Sequence, residues 1–267
     1  MPAKAPLDAY LSTAIRAARE AARIQIANLE RDLEVDTKSS ELDIVTQVDR
    51  ECETRIREVL LSAYPDHVVL GEEQGQDGDA RCRWIVDPLD GTVNYAHGFP
   101  FFCASIALEV DGTVQVGVVY DAFRDELFTA VAGSGAALNG RPIAVSGEHA
   151  TKRALLATGF AYLPGTIHRN LAIFGRVLPQ VQSIRRAGSA ALDLCYVACG
   201  RLEGFWELGL NAWDVAAGNL IVREAGGTVT GADGAPYHLG EYTLVVSNGH
   251  LHGKLLALLD LGAAVAN

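Results

Sequence analysis

Apolar residues at Leu7, Leu11, Ile15, Ala18, Ala22, Ile26 and Leu29 recur in steps of four and three. That period lines one face and predicts a long amphipathic helix. A second helix is predicted over 46–63, where Thr46-Gln47-Val48-Asp49 resembles a capping box with Asp replacing the usual Glu and Tyr64-Pro65 breaks the run. Short apolar runs follow. Val68-Val69-Leu70 reads as a strand entering Gly71-Glu72-Glu73, and Trp84-Ile85-Val86 as a buried strand without polar alternation. Pro88 has a fixed φ and no N–H, so the ladder is expected to stop there, leaving Asp87 and Asp90 on an irregular turn. Residues 102–110 and 114–120 form a predicted hairpin turned at Asp111-Gly112. A strand over 126–130 and a second tight turn at Asn139-Gly140 come next.

From residue 155 strands and helices alternate. Leu155-Leu156-Ala157, 181–184, 204–208, 228–229 and 243–247 read as strands; 167–178, 189–198, 215–225 and 251–259 read as helices. An antiparallel first part and an alternating second part predict an α/β protein of two fused lobes. These are residues 1–148 and 149–267 of a single unit, with a soft boundary near 146–152 and no internal repeat or long linker.

The 267 residues, 49% hydrophobic and 21% charged, supply ample core for one large domain or two lobes of about 130 residues. The formal charge of −11 disfavours non-specific nucleic-acid binding, and it repels an anionic substrate unless bound cations reverse the local sign. No apolar run suits a membrane span, and the N-terminus lacks the apolar core of a signal peptide. Cys52, Cys82, Cys103, Cys195 and Cys199 are an odd set without a C-x-x-C pair, which fits reduced thiols in a cytoplasm.

The stretch from Trp84 to Thr92 changes this picture most. A buried strand ends in two carboxylates, a glycine and a hydroxyl. Close carboxylates repel and are costly to desolvate unless a cation sits between them. Gly91-Thr92 can open a helix whose N–H groups attract an anion. Carboxylates for a hard cation beside donors for a phosphate describe metal-assisted phosphate chemistry. Other candidates have plain explanations when taken singly. Gly71-Glu72-Glu73 reads as an exposed acidic loop, Asp214 as an N-cap and Glu207 as an exposed strand end. Lys38 reads as a solvated loop residue, and His250 and His252 as exposed side chains at a helix start. Gly133-Ser134-Gly135 lacks the third glycine of a dinucleotide fingerprint.

Together the segments resemble the inositol monophosphatase family over most of the chain. The pieces are Lys38-Ser39-Ser40, Asp43-Ile44-Val45-Thr46-Gln47-Val48-Asp49, Gly71-Glu72-Glu73, Asp87-Pro88-Leu89-Asp90-Gly91-Thr92-Val93-Asn94, Gly188-Ser189-Ala190 and Trp213-Asp214. The D-P-x-D-G-T string with a distant W-D is the specific part. Val93 departs from the pattern, since many relatives carry a second threonine there. The resemblance implies a layered α-β-α-β-α fold, magnesium-dependent hydrolysis of phosphate monoesters, lithium inhibition and a homodimer. Carried onto this chain, Glu72, Asp87 and the Leu89 carbonyl would hold one magnesium. Asp87, Asp90 and Asp214 would hold a second, and Glu72 would support a weaker third. Asp49 and Thr92 would orient the attacking water, and the N–H groups of Gly91 and Thr92 would hold the phosphate. Ala190, Glu207 and Asp214 would face the alcohol, Ser189 is counted among the substrate-binding residues, and Lys38 is a further candidate.

The substrate expected first is inositol 1-phosphate, a small phosphorylated polyol, attacked directly by water. Related phosphatases act on histidinol phosphate, sugar phosphates or 3′-phosphorylated nucleotides. A haloacid-dehalogenase-type phosphatase would instead end its strand in D-x-D-G-T, whereas here two residues separate Asp87 from Asp90. A partner-binding protein that kept the fold is the alternative from another class.

Overall fold

The computed structural model describes residues 4–29, 31, 33–38, 44–162 and 165–261. Ser39, Ser40 and Asp43 of the family pattern lie outside the described residues. Helix α1 (Lys4–Asn28) leads to strands β1 (Val35–Thr37) and β2 (Ile44–Thr46) and helix α2 (Gln47–Ala63). The expected capping box starts α2: Thr46 Oγ1 accepts the Val48 N–H at 3.1 Å, and Asp49 Oδ2 accepts the Thr46 N–H at 2.8 Å. Strands β3 (Val68–Gly71), β4 (Gly75–Gln76) and β5 (Cys82–Asp90), then helix α3 (Thr92–Ala96), precede β6 (Cys103–Val110) and β7 (Thr113–Asp121). Strands β8 (Glu126–Val131), β9 (Ala136–Leu138) and β10 (Arg141–Pro142) end the first half.

These strands form an eight-stranded sheet in the order β10-β9-β8-β7-β6-β5-β3-β4. Its only parallel pair among the described residues is β3 with β5. The second half runs β11 (Leu155–Thr158), α4 (Thr166–Val177), β12 (Ser183–Arg185), α5 (Ala190–Ala198) and β13 (Gly204–Leu208). It continues through α6 (Ala212–Glu224), β14 (Thr228–Thr230), β15 (Thr243–Ser247) and α7 (His252–Leu259). Its sheet has the order β12-β11-β13-β15-β14.

Five layers result, as the resemblance implied. On the outside, Ala14, Ala17, Ala18 and Ala21 of α1 and Val48, Ile56 and Leu60 of α2 cover Trp84, Val86, Ile106 and Val118 of the large sheet. In the middle, α5 and α6 lie between the sheets. Leu194, Val197, Val215, Ala217 and Ile221 join Ile85, Val119 and Phe128 on one side to Phe205 and Val246 on the other. Gly117 permits this closeness, since a Cβ there would stand 2.8 Å from the Ala217 carbonyl oxygen. The far layer, α4 and α7, packs Ile173, Val177, Leu255 and Leu259 onto Leu156, Trp206 and Val245. Phe205 and Trp206 therefore serve opposite faces of one strand, as the two-residue period requires. No helix among the described residues is long and apolar enough to cross a membrane.

Two expectations are corrected. Helix α6 starts three residues before the predicted position, with Asn211 at the N-cap, so Asp214 sits in its first turn and is not the cap. His252 is buried, its ring held between Thr230 Oγ1 at 2.9 Å and Ser247 Oγ at 3.0 Å, whereas His250 is exposed as expected. The apolar packing of α7 onto its sheet carries that imidazole inward.

Candidate active site

Because β3 and β5 run side by side, with Gly71 opposite Val86, their acidic ends meet at one edge. Pro88 does not stop the ladder as expected. Asp87 still pairs with Ser105 and Asp90 with Cys103, so three steps on β5 oppose two on β6 and the strand bulges. The missing N–H of Pro88 falls inside that bulge. Its carbonyl oxygen accepts a hydrogen bond at 2.9 Å from Nε2 of Gln25, a fully buried residue on α1. Gly91, at φ 95°, then turns the chain into α3; a Cβ there would lie 2.8 Å from the Phe101 carbonyl oxygen.

A cavity of about 320 Å³ opens at this edge. Lys38, Glu72, Asp87, Leu89, Asp90, Gly91, Thr92, Ser189, Ala190, Glu207 and Asp214 all line it. Of the expected site residues only Asp49 is set behind the wall. It is fully buried, and its Oδ1 accepts the Thr92 hydroxyl at 2.9 Å. The same hydroxyl lies 3.0 Å from the Leu89 carbonyl oxygen but has one proton to give. Donation to charged Asp49 is the stronger bond and leaves the Leu89 carbonyl free.

Each acid is anchored by one side. Asp87 Oδ1 accepts the Leu89 N–H at 3.0 Å, and Asp214 Oδ2 the Asn211 N–H at 2.7 Å. Asp90 Oδ2 accepts Ser189 Oγ and the Ala191 N–H, both at 2.7 Å, so it sits at the start of α5 where helix polarity favours an anion. Glu72 Oε1 takes Lys38 Nζ at 2.8 Å, and Glu73 takes it too. Lys38 is thus no solvated loop residue: its side chain is only 22% exposed. The Gly71-Glu72-Glu73 turn is likewise not a loose acidic loop. Buried Glu53 of α2 accepts the N–H groups of Glu73 at 2.7 Å and Gln74 at 3.1 Å, with Arg57 as its counter-charge.

The acids carry a shared electrostatic load. Desolvation, then the charges of Glu72, Asp90 and Asp214, push the Asp87 carboxyl well above the usual range. Asp214 is raised for the same first reason, with Glu72 and Asp90 adding to it. Desolvation lifts Glu72 to about 7 against the pull of Lys38, and lifts Asp90 to about 6 against its hydrogen bonds from Ser189, Ala191 and Ala190. Desolvation raises Asp49 as well. The cavity acids thus outnumber Lys38 and Arg186, the basic residues lining it among the described residues, and a bound cation relieves that excess.

The residues fit a hard divalent cation. The acids offer only oxygen, with no cysteine or histidine lining the cavity among the described residues. No three such side chains among the described residues already stand in metal-ligand geometry, each acid being drawn toward its own donor.

Facing the acids, Ser189 is 1% exposed and its hydroxyl also caps the Leu192 N–H at 3.3 Å. Glu207 on β13 is not an exposed strand end: it is 7% exposed, and desolvation with nearby Asp193 and Asp90 pushes it to about 8. Asp193 lines the cavity unannounced by any motif. Its signal was a lone acid inside the apolar run Ala190-Ala191-Leu192-Asp193-Leu194, a position where unpaired charge is rare. Gln25 and Glu53 carry no comparable signal, being polar residues on helices marked by their apolar stripes.

The family model described as the inositol monophosphatase family matches residues 7–261. An inositol-1-monophosphatase of Synechocystis is 48% identical over 216 residues, 80% of this chain and 75% of the relative. A protein named Nus factor SuhB, from Pasteurella multocida, is 43% identical over 90% of this chain and 92% of its own. Among solved structures, the extragenic suppressor protein suhB of Bartonella henselae superposes with a TM-score of 0.91 at 42% identity, covering 95% of this chain and 99% of that one. The inositol monophosphatase of Anabaena does so with a TM-score of 0.85 at 40% identity, covering 96% of each chain. On family match, relatives and fold together, the chain belongs to the inositol monophosphatase family.

Proposed function

We propose that the protein is a magnesium-dependent phosphate monoesterase whose substrate is inositol 1-phosphate, hydrolysed by direct attack of water. One observation carries this reading: Glu72, Asp87, Asp90 and Asp214, from three different elements, line a single cavity and all have upward-shifted carboxyls. Glu72, Asp87 and the Leu89 carbonyl are the residues for one magnesium, and Asp87, Asp90 and Asp214 for a second, with Glu72 supporting a weaker third. Magnesium held there would supply positive charge to offset the negative charge that develops on the attacking and departing oxygens.

The chain's own groups do the positioning. Thr92, its proton given to Asp49, presents an oxygen lone pair to orient the attacking water. The N–H groups of Gly91 and Thr92 receive the phosphate. Ala190, Glu207 and Asp214 face the alcohol, while Ser189 acts through Asp90. A homodimer and inhibition by lithium belong to the same reading. Support for the inositol ester comes from the relatives named inositol-1-monophosphatase, from Synechocystis and Mesorhizobium japonicum.

A second reading rests on the relatives named Nus factor SuhB, which share 41–45% identity with this chain. It is a partner-binding role carried on the surface in addition to hydrolysis. Phosphate release from inositol 1-phosphate with magnesium, abolished by EDTA and restored by added magnesium, tests the main reading. A magnesium-loaded protein that releases no phosphate from a panel of monoesters rejects it and leaves the partner-binding role.

A further inference from the structure

The cavity wall contains an acid that the phosphatase reading does not use. Asp193, in the first turn of α5, is 2% exposed, yet it lines the cavity. Its carboxylate receives no hydrogen bond and forms no ion pair among the described residues. Glu207 lines the same cavity, and after desolvation the charge of Asp193 is the next cause that raises it, while Arg186, also in the wall, pulls both acids the other way. Glu207 likewise has no donor among the described residues. Gly159 packs directly on its carboxylate, where any Cβ would collide. A structural acid in a helix's first turn normally takes backbone N–H groups or open water. Asp193 takes no backbone N–H, and what little of it is exposed faces the cavity, so its oxygens depend on whatever fills that cavity for a partner. Two such acceptors share one cavity, remote in sequence from the D-P-x-D-G-T strand, and are placed to take donors from water or from a bound ligand.

We propose that Asp193 is a specificity-determining residue, which together with Glu207 accepts hydrogen bonds from hydroxyl groups of the alcohol part of the ester. The paired carboxylates select a polyhydroxylated monophosphate. An apolar alcohol would leave both groups unsatisfied. The inference rests on the phosphatase reading and deepens it.

The test compares inositol 1-phosphate with p-nitrophenyl phosphate, which has no hydroxyl to offer, using magnesium-loaded wild type, Asp193→Ala and Asp193→Asn. Loss of the buried partner of a substrate hydroxyl predicts a fall of about 10- to 100-fold in kcat/KM for Asp193→Ala on the inositol ester, mainly through KM. Turnover of p-nitrophenyl phosphate and the magnesium requirement should stay as in wild type. Asp193→Asn, which keeps a carbonyl acceptor, should recover part of the loss. Equal losses on both esters, or an unchanged preference in both variants, overturn the proposal. Should Asp193→Ala fail to fold, the ester preference of Asp193→Asn decides by the same criterion. Wild type that hydrolyses neither ester refutes the phosphatase reading and this inference together, whereas active wild type with unaltered variants refutes this inference alone.

Discussion

Asp90, at the end of a strand in the large sheet, accepts the N–H of Ala191, at the start of a helix packed between the sheets, at 2.7 Å. One side of the carboxylate thereby fastens the two halves of the molecule, and the other side is left to the cavity. Asp90→Asn keeps an oxygen for Ala191 and replaces the cavity-facing charge with an amide. The variant should fold normally, bind magnesium more weakly and lose about 100-fold in turnover, the scale of several kcal/mol of charge stabilisation. Near-normal turnover at saturating magnesium would remove Asp90 from the chemistry.

Gly71 is needed for space, because a Cβ there would run into the Glu53 carboxylate. Gly71→Ala must displace Glu53 and strand the N–H groups of Glu73 and Gln74, at a cost of about 2–4 kcal/mol. Urea unfolding measures this loss, and a magnesium titration of the folded variant should show weaker binding through Glu72. A Gly71→Ala protein as stable as wild type would mean that the turn does not depend on Glu53.

The raised acids make stability depend on pH. Unfolded carboxyls titrate near about 4, whereas Asp90, Glu72 and Glu207 titrate at about 6, about 7 and about 8 when folded. Between these values the folded protein holds more protons, so its stability is full at acid pH and falls as pH rises toward about 8. Thermal melts in EDTA should show a falling Tm over that window. Added magnesium should raise Tm more at the alkaline end than at the acid end. A magnesium-free Tm that climbs with pH over the same range would contradict the assignment.

Glu207 faces the cavity from the second sheet, seven positions before Asp214 and on a different element. Glu207→Ala should therefore change substrate preference while leaving the magnesium requirement close to wild type. Initial rates over several phosphate esters check this, and uniform losses on all of them would deny it a role in selection.

Local patterns made much of the fold legible. The four-and-three apolar steps marked α1, the Asp-for-Glu capping box marked α2, and Asp111-Gly112 marked the β6–β7 hairpin, because each depends on residues a few positions apart. The start of α6 is not legible locally, since Asp214 satisfies the chemistry of either a cap or a first turn; only the backbone at Asn211 distinguishes them. Pro88 reads locally as a strand end for a similar reason. Its lost N–H is harmless inside a bulge, and that bulge is held by Gln25 from 63 residues away.

By itself the order of residues determined the periods, the turns, the family pattern and the identity of the acids at the strand ends. The tertiary structure alone decided which polar groups are stripped of water. Glu207 and His252 look like ordinary surface residues in the chain and are buried in the fold, and Lys38 is largely covered. The physical reason is that desolvation is set by whichever distant segments cover a group, and no local pattern encodes that cover.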